Sequence, residues 1–343
     1  MKKKILIIVT VVILFLVLAV FTAYQQFQTA IKQPLNIPEM GLIYSLKPGT
    51  SIRALSQDLE KKGIIKKSRT LEWLARREKK ATKIRAGEYK LEPGLTPESL
   101  LDLFVEGKIV QYKFSIVEGT RYADALKSLL AIKEIEHSVT PETFVSDFKA
   151  WTGEDHPEGW LFPDTYYFTR DDDDKTLLLR AYQNMKTELE KAWEKRQSDL
   201  PLKTPYEALI LASIVEKETA VAKERPLIAG VFINRLRKGM KLQTDPTVIY
   251  GMGDQYKGNI RKKDLKKDTP YNTYTRTGLP PTPIALVGKE ALEAVVNPAS
   301  TEALFFVAKG GGEHHFSKTY KEHRKAVIRY QLNGNAKRYK GDE

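Results

Sequence analysis

The longest apolar stretch of the chain lies at its N-terminus. Residues 5–23 carry no charge, and three lysines, Lys2–Lys4, precede them. As a helix rising about 1.5 Å per residue, this run is about 28 Å long, close to the thickness of a bilayer's hydrocarbon core. A cleaved signal peptide has a shorter apolar region and a small-x-small cleavage site, and neither is clear here. The pattern predicts an uncleaved transmembrane helix, with residues 1–4 cytoplasmic under the positive-inside rule.

The pattern then changes to a repeated strand, turn and helix. Residues 24–42 are polar, contain proline and lack a strong period, which predicts a stalk. The segments Leu46–Ile65 and Leu91–Val110 share a Pro-Gly turn, a Ser or Thr cap and leucines on one helical face. They predict a small α+β module at 43–113 whose arrangement resembles a LysM-like, glycan-binding domain. A spacer that carries the next domain away from the membrane is the alternative.

The rest of the chain alternates between amphipathic and apolar segments and predicts a mixed α/β domain at 114–330, followed by a polar tail at 331–343. Lys175–Lys195 has the period of an amphipathic helix. Thr204 and Pro205 start a second helix as cap and first residue, and Pro226 starts a third. The predicted fold class is therefore α+β, with a single N-terminal transmembrane helix.

Two acids interrupt the helix that starts at Pro205. It is apolar nearly all round until Glu216 and Glu218. These two side chains lie about 200° apart at 3.6 residues per turn, so at most one of them faces a given cleft. Burial beside apolar residues would raise the pKa of such a carboxyl, as a general acid requires. An ion pair with a nearby Lys or Arg is the more ordinary explanation for an isolated Glu, and spacing alone leaves the choice open.

Polar and aromatic residues that could meet a ligand follow in two segments. Gln243, Thr244 and Asp245 lie on a loop that enters a short helix opened by Pro246, where donors and acceptors are exposed. The segment 271–285 is rich in proline, aromatic and amide side chains, which suits stacking on sugars and recognition of hydroxyls. Both segments are therefore candidates for substrate positioning.

Composition limits the partners and the kinds of site that the chain can have. The formal charge of +13 suggests an anionic partner, and the absence of cysteine excludes disulfides, thiolate metal sites and a Cys nucleophile. Because everything after the membrane helix is expected outside the cytoplasm, a cell-wall or membrane polyanion is favoured over nucleic acid. The acidic run 171–174 lacks the spacing of a calcium loop, and His314, His315 and His323 form no helical His-x3-His pair. The sequence therefore predicts no metal site.

Five motifs in one order resemble the endolytic murein transglycosylase family, or YceG-like family. They are EGWLFPDTYYF, ASIVEKETAVAKER, VFINRLRKGMKLQTDPTVIYGMG, YNTYTRTGLPPTPIA and HHFSKTYKEH. The resemblance runs from the membrane helix to about Val327. The chain reads IALVG at Ile284–Gly288, where the family commonly has I-A-N-P-G, so the shape of this loop is in question.

The resemblance implies an inner-membrane enzyme with an extracytoplasmic catalytic domain that cuts peptidoglycan strands internally. Cleavage would leave a 1,6-anhydro-N-acetylmuramyl end and limit or terminate strand elongation. The catalytic acid would be the second of the E-K-E-[TA] motif, Glu218, with no cofactor and no metal. The residues expected to position the substrate are Gln243, Thr244, Asp245, Tyr271, Asn272 and Tyr274.

The expected partners are peptidoglycan strands and the inner membrane, with peptidoglycan synthases and the elongation or division machinery as further candidates. Two other functions fit the sequence. One is a hydrolytic muramidase that uses water, and the other is a non-catalytic peptidoglycan-binding scaffold in which Glu218 is structural.

Overall fold

The computed structural model describes residues 2–339 of the 343-residue chain. Met1 of the predicted cytoplasmic segment and residues 340–343 of the predicted tail lie outside the described residues. The described chain falls into two compact units, the first reaching to Tyr112 and including Phe168–Asp171, the second holding Lys113–Tyr167 and the chain from Asp172 onward. Helices and short strands follow an N-terminal apolar helix, which confirms the α+β class.

Helix α1, Lys2–Lys32, is the one described helix that is long and apolar enough to cross a membrane. It continues past the predicted apolar run into the region expected to be a stalk. Ile31 is buried in the core of the first unit, and Phe27 and Ile37 pack against that core. The first part of the stalk is therefore helical and bound to the unit. Phe27 and Ile31 are four residues apart and share a helical face, a short apolar pattern within an otherwise polar stretch.

The first unit continues with two short strands and three helices. The elements after α1 are β1 (Leu42–Leu46), α2 (Ile52–Lys61), α3 (Ser68–Arg77), β2 (Gly87–Leu91) and α4 (Pro97–Glu106). Strand β1 pairs antiparallel with β2. The side chain of Ser51 caps α2, and Thr96 caps α4 in a reciprocal arrangement with Ser99. The repeated caps explain why the two halves of the sequence pattern resemble each other.

Apolar side chains from every one of these elements form the core of the first unit. Tyr89 on β2 and Phe104 on α4 are fully buried, and their rings meet edge to face with centroids 4.7 Å apart. Leucines of α2 and α3 close the core around them. The glycan-binding role of a LysM-like module stays a prediction for this unit.

The second unit is mainly helical. Its elements are β3 (Tyr112–Ser115), α5 (Tyr122–Leu130), α6 (Phe144–Thr152), β4 (Thr165–Phe168), α7 (Asp174–Glu194), α8 (Pro205–Glu218), α9 (Arg225–Arg237), α10 (Asp245–Met252), α11 (Lys262–Lys266), α12 (Lys289–Val296), β5 (Phe305–Gly310), β6 (Glu313–Ser317) and α13 (Tyr320–Tyr330). Strand β3 pairs with β4, and β5 pairs antiparallel with β6. The division between the units falls within β3 and again at the end of β4.

Helix α8 lies at the centre of the second unit. It packs against α7, α9, α10 and α12, and its residues 208–215 are all buried. The hydroxyl of Thr204 accepts the backbone N–H of Glu207 at 3.2 Å, which is the predicted cap. Contact on most sides explains why the α8 sequence is apolar nearly all round. The last residue of this buried helix is Glu218.

Replacing Ile31 with Ala should destabilise the first unit by roughly 2–4 kcal/mol, because a buried side chain is lost from its core. Hydrogen exchange of amides in α2, α3 and α4 in the detergent-solubilised full chain measures this effect. Gln25→Ala, at an exposed position on the same helix, is the control. Equal protection in the two variants would show that α1 does not contribute to the core.

Candidate active site

The carboxyl of Glu218 is the centre of the candidate site. The residue ends α8, is half-buried, and accepts a hydrogen bond at Oε1 from the hydroxyl of Thr244. Burial raises the pKa of Glu218, and the neighbouring charge of Asp245 adds to that rise. The Thr244 hydrogen bond and the charges of His314 and Arg235 act in the opposite direction. The group is therefore disposed to hold a proton while remaining partly accessible.

A network of buried hydroxyls holds Thr244 in place. Thr244 precedes α10 in the N-cap position, but its side chain makes no capping bond. Its backbone N–H donates to Oγ1 of Thr273 at 3.1 Å, and the hydroxyl of Thr247 donates to its carbonyl at 2.7 Å. All three threonines are buried. Because the backbone is held by its neighbours, the Thr244 hydroxyl remains available for Glu218.

Gln243, next to Thr244, has an unusual backbone conformation. Its φ of +48° lies in the left-handed region, which is costly for a residue with a side chain. A hydrogen bond of 3.1 Å from its N–H to the carbonyl of Thr273 stabilises this conformation. The residue is exposed and lies next to Thr244 in the chain, and its side-chain Oε1 accepts a long hydrogen bond of 3.5 Å from Arg235.

The other predicted positioning residues fall into two groups. The Tyr274 hydroxyl donates to Oδ1 of Asp245 at 2.6 Å, so these two form a pair at the start of α10. Asn272 is buried; its Oδ1 accepts the N–H of Tyr274 at 2.9 Å and its amide donates to backbone carbonyls. Its amide thus fixes the loop that carries Tyr274. The hydroxyl of Tyr271 lies 2.9 Å from that of Thr282, and its ring packs on Tyr250.

Three residues around Glu218 were not predicted as site residues from the sequence: His314, Glu224, which contacts it, and Arg235. His314 on β6 has its ring Nδ1 2.8 Å from Oε2 of Glu224, and its backbone N–H donates to Oε1 of the same carboxyl at 2.9 Å. This carboxyl orients the imidazole and places the proton on Nδ1 when Glu224 is ionised. His314 and His315 are adjacent in a strand and point to opposite faces. This alternation could have shown from the sequence that the two histidines have different surroundings.

The third of these residues, Arg235, joins α9 to the loop before α10. Its buried guanidinium donates to the carbonyls of Leu242 and Leu304, both at 2.7 Å. Burial lowers the pKa of Arg235, while the charge of Glu218 acts to raise it. The side chain supplies a fixed cation near Glu218 and supports the backbone that leads to Gln243 and Thr244. Its position on α9 gave no separate signal in the sequence.

Glu216 lies in a different environment from Glu218. Its side chain is 5% exposed and makes an ion pair of 3.2 Å with Arg225, which also contacts Glu290. Burial raises the pKa of Glu216, and the Arg225 charge opposes the rise. The N–H of Gly288 donates to Oε2 of Glu216 at 3.2 Å. Glu216 is therefore engaged in holding neighbouring segments, as expected from the helical separation of the two acids.

The segment 284–288, where the sequence departs from the family pattern, is attached to α8 at both ends. The N–H of Ile284 donates to Oγ of Ser213 at 2.9 Å, and Gly288 donates to Glu216. A Cβ at Gly288 would lie 2.1 Å from a carboxylate oxygen of Glu118, so a larger residue there would displace this exposed side chain. The departure is thus compatible with a loop that packs directly on the helix carrying Glu218.

A third acid of the second unit is buried away from solvent. Glu158 is fully buried, and its Oε1 accepts the N–H of Tyr122 at 3.0 Å. Burial raises the pKa of Glu158 to about 7. Because it has no exposed surface, a polymeric ligand cannot reach it. Trp160, two residues later, is also buried and stacks on Tyr206, so this aromatic residue belongs to the core.

The acidic run 171–174 has a structural role at its last residue. Asp174 is buried and accepts hydrogen bonds from the N–H and hydroxyl of Ser138 and the N–H of Val139. Asp174 therefore closes a loop onto the start of α7.

Within residues 2–339, no three or more His, Cys, Asp or Glu side chains are grouped so that they could hold a metal ion.

The sequence profile of the YceG-like family matches residues 44–329, which is most of the chain. The chain belongs to this family. The match includes both units from β1 to α13, and so contains Glu218, Thr244 and the residues around them.

Relatives and a solved structure agree with this YceG-like assignment. An endolytic murein transglycosylase of Bacillus subtilis (strain 168) is 32% identical over 311 residues, covering 85% of this chain and 86% of the relative. One of Streptococcus pneumoniae (strain D39) is 27% identical over 318 residues, and this chain spans 57% of its length. A 2.6 Å crystal structure of a YceG-like protein from Listeria monocytogenes matches 84% of this chain with 30% identity and a TM-score of 0.52.

Replacing Glu158 with Gln should make stability less sensitive to a rise in pH from about 4.5 to about 7. The raised pKa of Glu158 means that the folded protein binds a proton that the unfolded chain releases from about pH 4.5 upward, so stability falls as pH rises to about 7. Gln keeps an acceptor for Tyr122 and has no charge to bury. Thermal unfolding of the detergent-solubilised full chain should show a higher midpoint for the variant relative to wild type at pH 8 than at pH 5.

Glu293→Gln, at an exposed position on α12, is the matched control for that experiment. The midpoint of thermal unfolding of Glu158→Gln could instead differ from that of wild type by the same amount at pH 5 and pH 8. That result would mean that Glu158 is ionised in the folded protein throughout this range.

Proposed function

We propose that this YceG-like protein is an endolytic murein transglycosylase. It cleaves the β-1,4 bond between N-acetylmuramic acid and N-acetylglucosamine within a glycan strand and leaves a 1,6-anhydro-N-acetylmuramyl end. The observation that carries the proposal is the half-buried carboxyl of Glu218, which has a raised pKa and receives a hydrogen bond from Thr244. The names of the relatives support the same activity.

One carboxyl is sufficient for this reaction. A retaining hydrolase needs a second carboxyl about 5 Å from the first, and an inverting one needs it farther away with room for a water. In a lytic transglycosylase the nucleophile belongs to the substrate. The acid beside Glu218, Asp245, already accepts the Tyr274 hydroxyl and is suited to positioning. Its proximity nevertheless makes water-dependent cleavage the second candidate, in which Asp245 would supply the second carboxylate.

The proton moves out and back through Glu218. Protonated Glu218 gives its proton to the oxygen that leaves C1 of the muramyl residue, and the C1–O bond breaks. The muramyl 6-hydroxyl oxygen forms a new bond to C1, and its proton returns to the Glu218 carboxylate. No water is consumed, and the enzyme ends in its starting protonation state. The raised pKa favours the first step, while the Thr244 hydrogen bond and the charge of Arg235 stabilise the intermediate carboxylate.

The groups around Glu218 have distinct parts in this proposal. Gln243 and the Asp245–Tyr274 pair offer exposed or half-buried polar atoms to sugar hydroxyls and acetamido groups. Asn272 positions Tyr274 and does not itself reach the substrate, because its amide is engaged by the backbone. Tyr271 acts indirectly in this proposal, because its ring packs against Tyr250 on α10.

The remaining parts of the proposal concern location and partners. Helix α1 anchors the protein in the inner membrane with its N-terminus in the cytoplasm, as the lysines before the apolar run suggest. The catalytic unit then meets newly made glycan strands outside the cytoplasm, where cleavage limits strand elongation. Peptidoglycan synthases and the elongation or division machinery are the expected protein partners at that surface.

Replacing Glu218 with Gln should lower the rate of strand cleavage by about 10²–10⁴-fold, because the shape is kept and the exchangeable proton is lost. The full chain in detergent is incubated with purified sacculi, and the products are identified by mass spectrometry. Wild type should release fragments with anhydromuramyl ends. Glu293→Gln, an exposed Glu-to-Gln change on α12, should retain wild-type activity.

Other product patterns would contradict the proposal. Reducing ends from wild type would indicate a hydrolytic muramidase, and an absence of fragments would favour a scaffold. Full activity of Glu218→Gln would remove Glu218 from the catalytic role and make Glu216→Gln the next variant to measure.

Replacing Thr244 with Val should shift the alkaline limb of the pH–activity profile to higher pH. The Thr244 hydroxyl stabilises ionised Glu218, so its loss raises the pKa of that carboxyl further and keeps the general acid protonated at higher pH. The profile of kcat/KM for anhydro product between pH 5 and 9 measures the shift. Thr187→Val on α7 is the matched control, and an alkaline limb that stays in place or moves to lower pH would show that Thr244 does not act on Glu218 in this way.

A further inference from the structure

A polar cavity lies beside the end of α8 in the second unit. It has a volume of about 590 Å³, within the range of pockets that bind small ligands. Residues of the loop before α5, of α8 and of α10 line it, among them Arg121, Lys217, Ile249, Tyr250, Tyr256 and Lys257. The roles assigned above to Glu218 and its neighbours do not use this space.

The cavity lies close to Glu218 along the chain but on another face of α8. Lys217 immediately precedes Glu218 on α8, and Pro246 immediately follows Asp245 on α10. Consecutive side chains on a helix diverge by about 100°, so Lys217 and Glu218 point to neighbouring faces of α8. The hydrogen bond from Thr244 to Glu218 joins the two helices that line the cavity. An extended peptide spans about 3.3–3.6 Å per residue, so a substituent several residues long on a sugar bound at Glu218 can reach the cavity.

The lining carries more charge than a site for neutral sugars requires. Three cations, on Arg121, Lys217 and Lys257, face two acids, on Asp124 and Asp254. Arg121 and Asp124 form a loose pair at 3.6 Å. The ammonium of Lys217 donates to the carbonyl of Gly119 at 2.9 Å, which leaves two of its three N–H groups for a ligand.

Lys257 is exposed, and among the described residues it makes no hydrogen bond or ion pair that would occupy its ammonium. Together with Lys217 it can meet a carboxylate in the cavity, while Asp254 suits an ammonium group of the same ligand. Tyr250 and Tyr256 also line the cavity and add apolar surface to it.

We propose that this cavity binds the short peptide attached to the muramyl residue at the cleaved bond, with Lys217 and Lys257 contacting a peptide carboxylate. The inference rests on the proposed function and adds a determinant of substrate choice. While the peptide is attached, the lactyl carboxyl of the muramyl residue is an uncharged amide, and the charges of the strand are the carboxylates and amines of the peptide, which is the charge pattern of the lining. Removal of the peptide leaves one lactyl carboxylate on the sugar and no ammonium group. The protein then prefers strands that retain their peptides over strands that have lost them.

The test compares peptide-bearing glycan strands with the same strands after removal of their peptides by an amidase. The full chain in detergent is assayed for anhydro product, and kcat/KM is measured on both substrates. Wild type should prefer the peptide-bearing strands. Lys257→Gln and Lys217→Gln should each reduce that preference about threefold to tenfold, which is the size expected for the loss of one solvent-accessible hydrogen bond. The loss should appear in KM for the peptide-bearing strands. Lys257→Arg should retain it.

Lys325→Gln is the matched control, because it removes the same charge from an exposed position on α13. It should leave the preference unchanged. Equal activity of wild type on both substrates would overturn the proposal, and so would equal losses by Lys257→Gln on both, which would assign the cavity to sugars. Failure of the proposed function gives a different result: wild type then releases no anhydro product from either substrate. In that case equal co-sedimentation of wild type with both kinds of strand would overturn the peptide site independently.

Discussion

The hydrogen bond between Thr244 and Glu218 is the contact on which the site depends. Glu218 ends a helix that is buried along most of its length, and Thr244 is the N-cap of α10, which packs against that helix. Thr244 can donate to the carboxyl because Thr247 and Thr273 hold its backbone and no capping bond takes its hydroxyl. The geometry of the candidate acid is thus set by buried, uncharged groups.

The charges around this hydrogen bond give the two acids of α8, Glu216 and Glu218, different electrostatic surroundings. Glu216 is paired with Arg225 and receives the N–H of Gly288, so its carboxyl is committed to the fold. Glu218 has the guanidinium of Arg235 and the imidazole of His314 nearby, without a direct ion pair to either among the described residues. Burial therefore dominates at Glu218, and its pKa rises while its outer side remains accessible.

Packing also determines how the N-terminal helix joins the first unit. Helix α1 extends beyond its apolar run, and Ile31 enters the core formed by α2, α3 and α4. The end of α1 is therefore part of a folded core, within residues 24–42 whose polar composition predicted a stalk.

Much of this protein could be predicted from local sequence signals. The apolar run, the caps at Thr96 and Thr204 and the opposite directions of Glu216 and Glu218 all follow from short-range periodicity, and the ordered motifs indicate the family. The partners of Glu218 could not be derived in this way. Arg235 and His314 come from segments 17 and 96 residues farther along the chain, and only packing brings their charges near the carboxyl. The sequence by itself determined which residues could do the chemistry; the tertiary structure decided which acid is buried without an ion pair, because desolvation depends on neighbours that are distant in the chain.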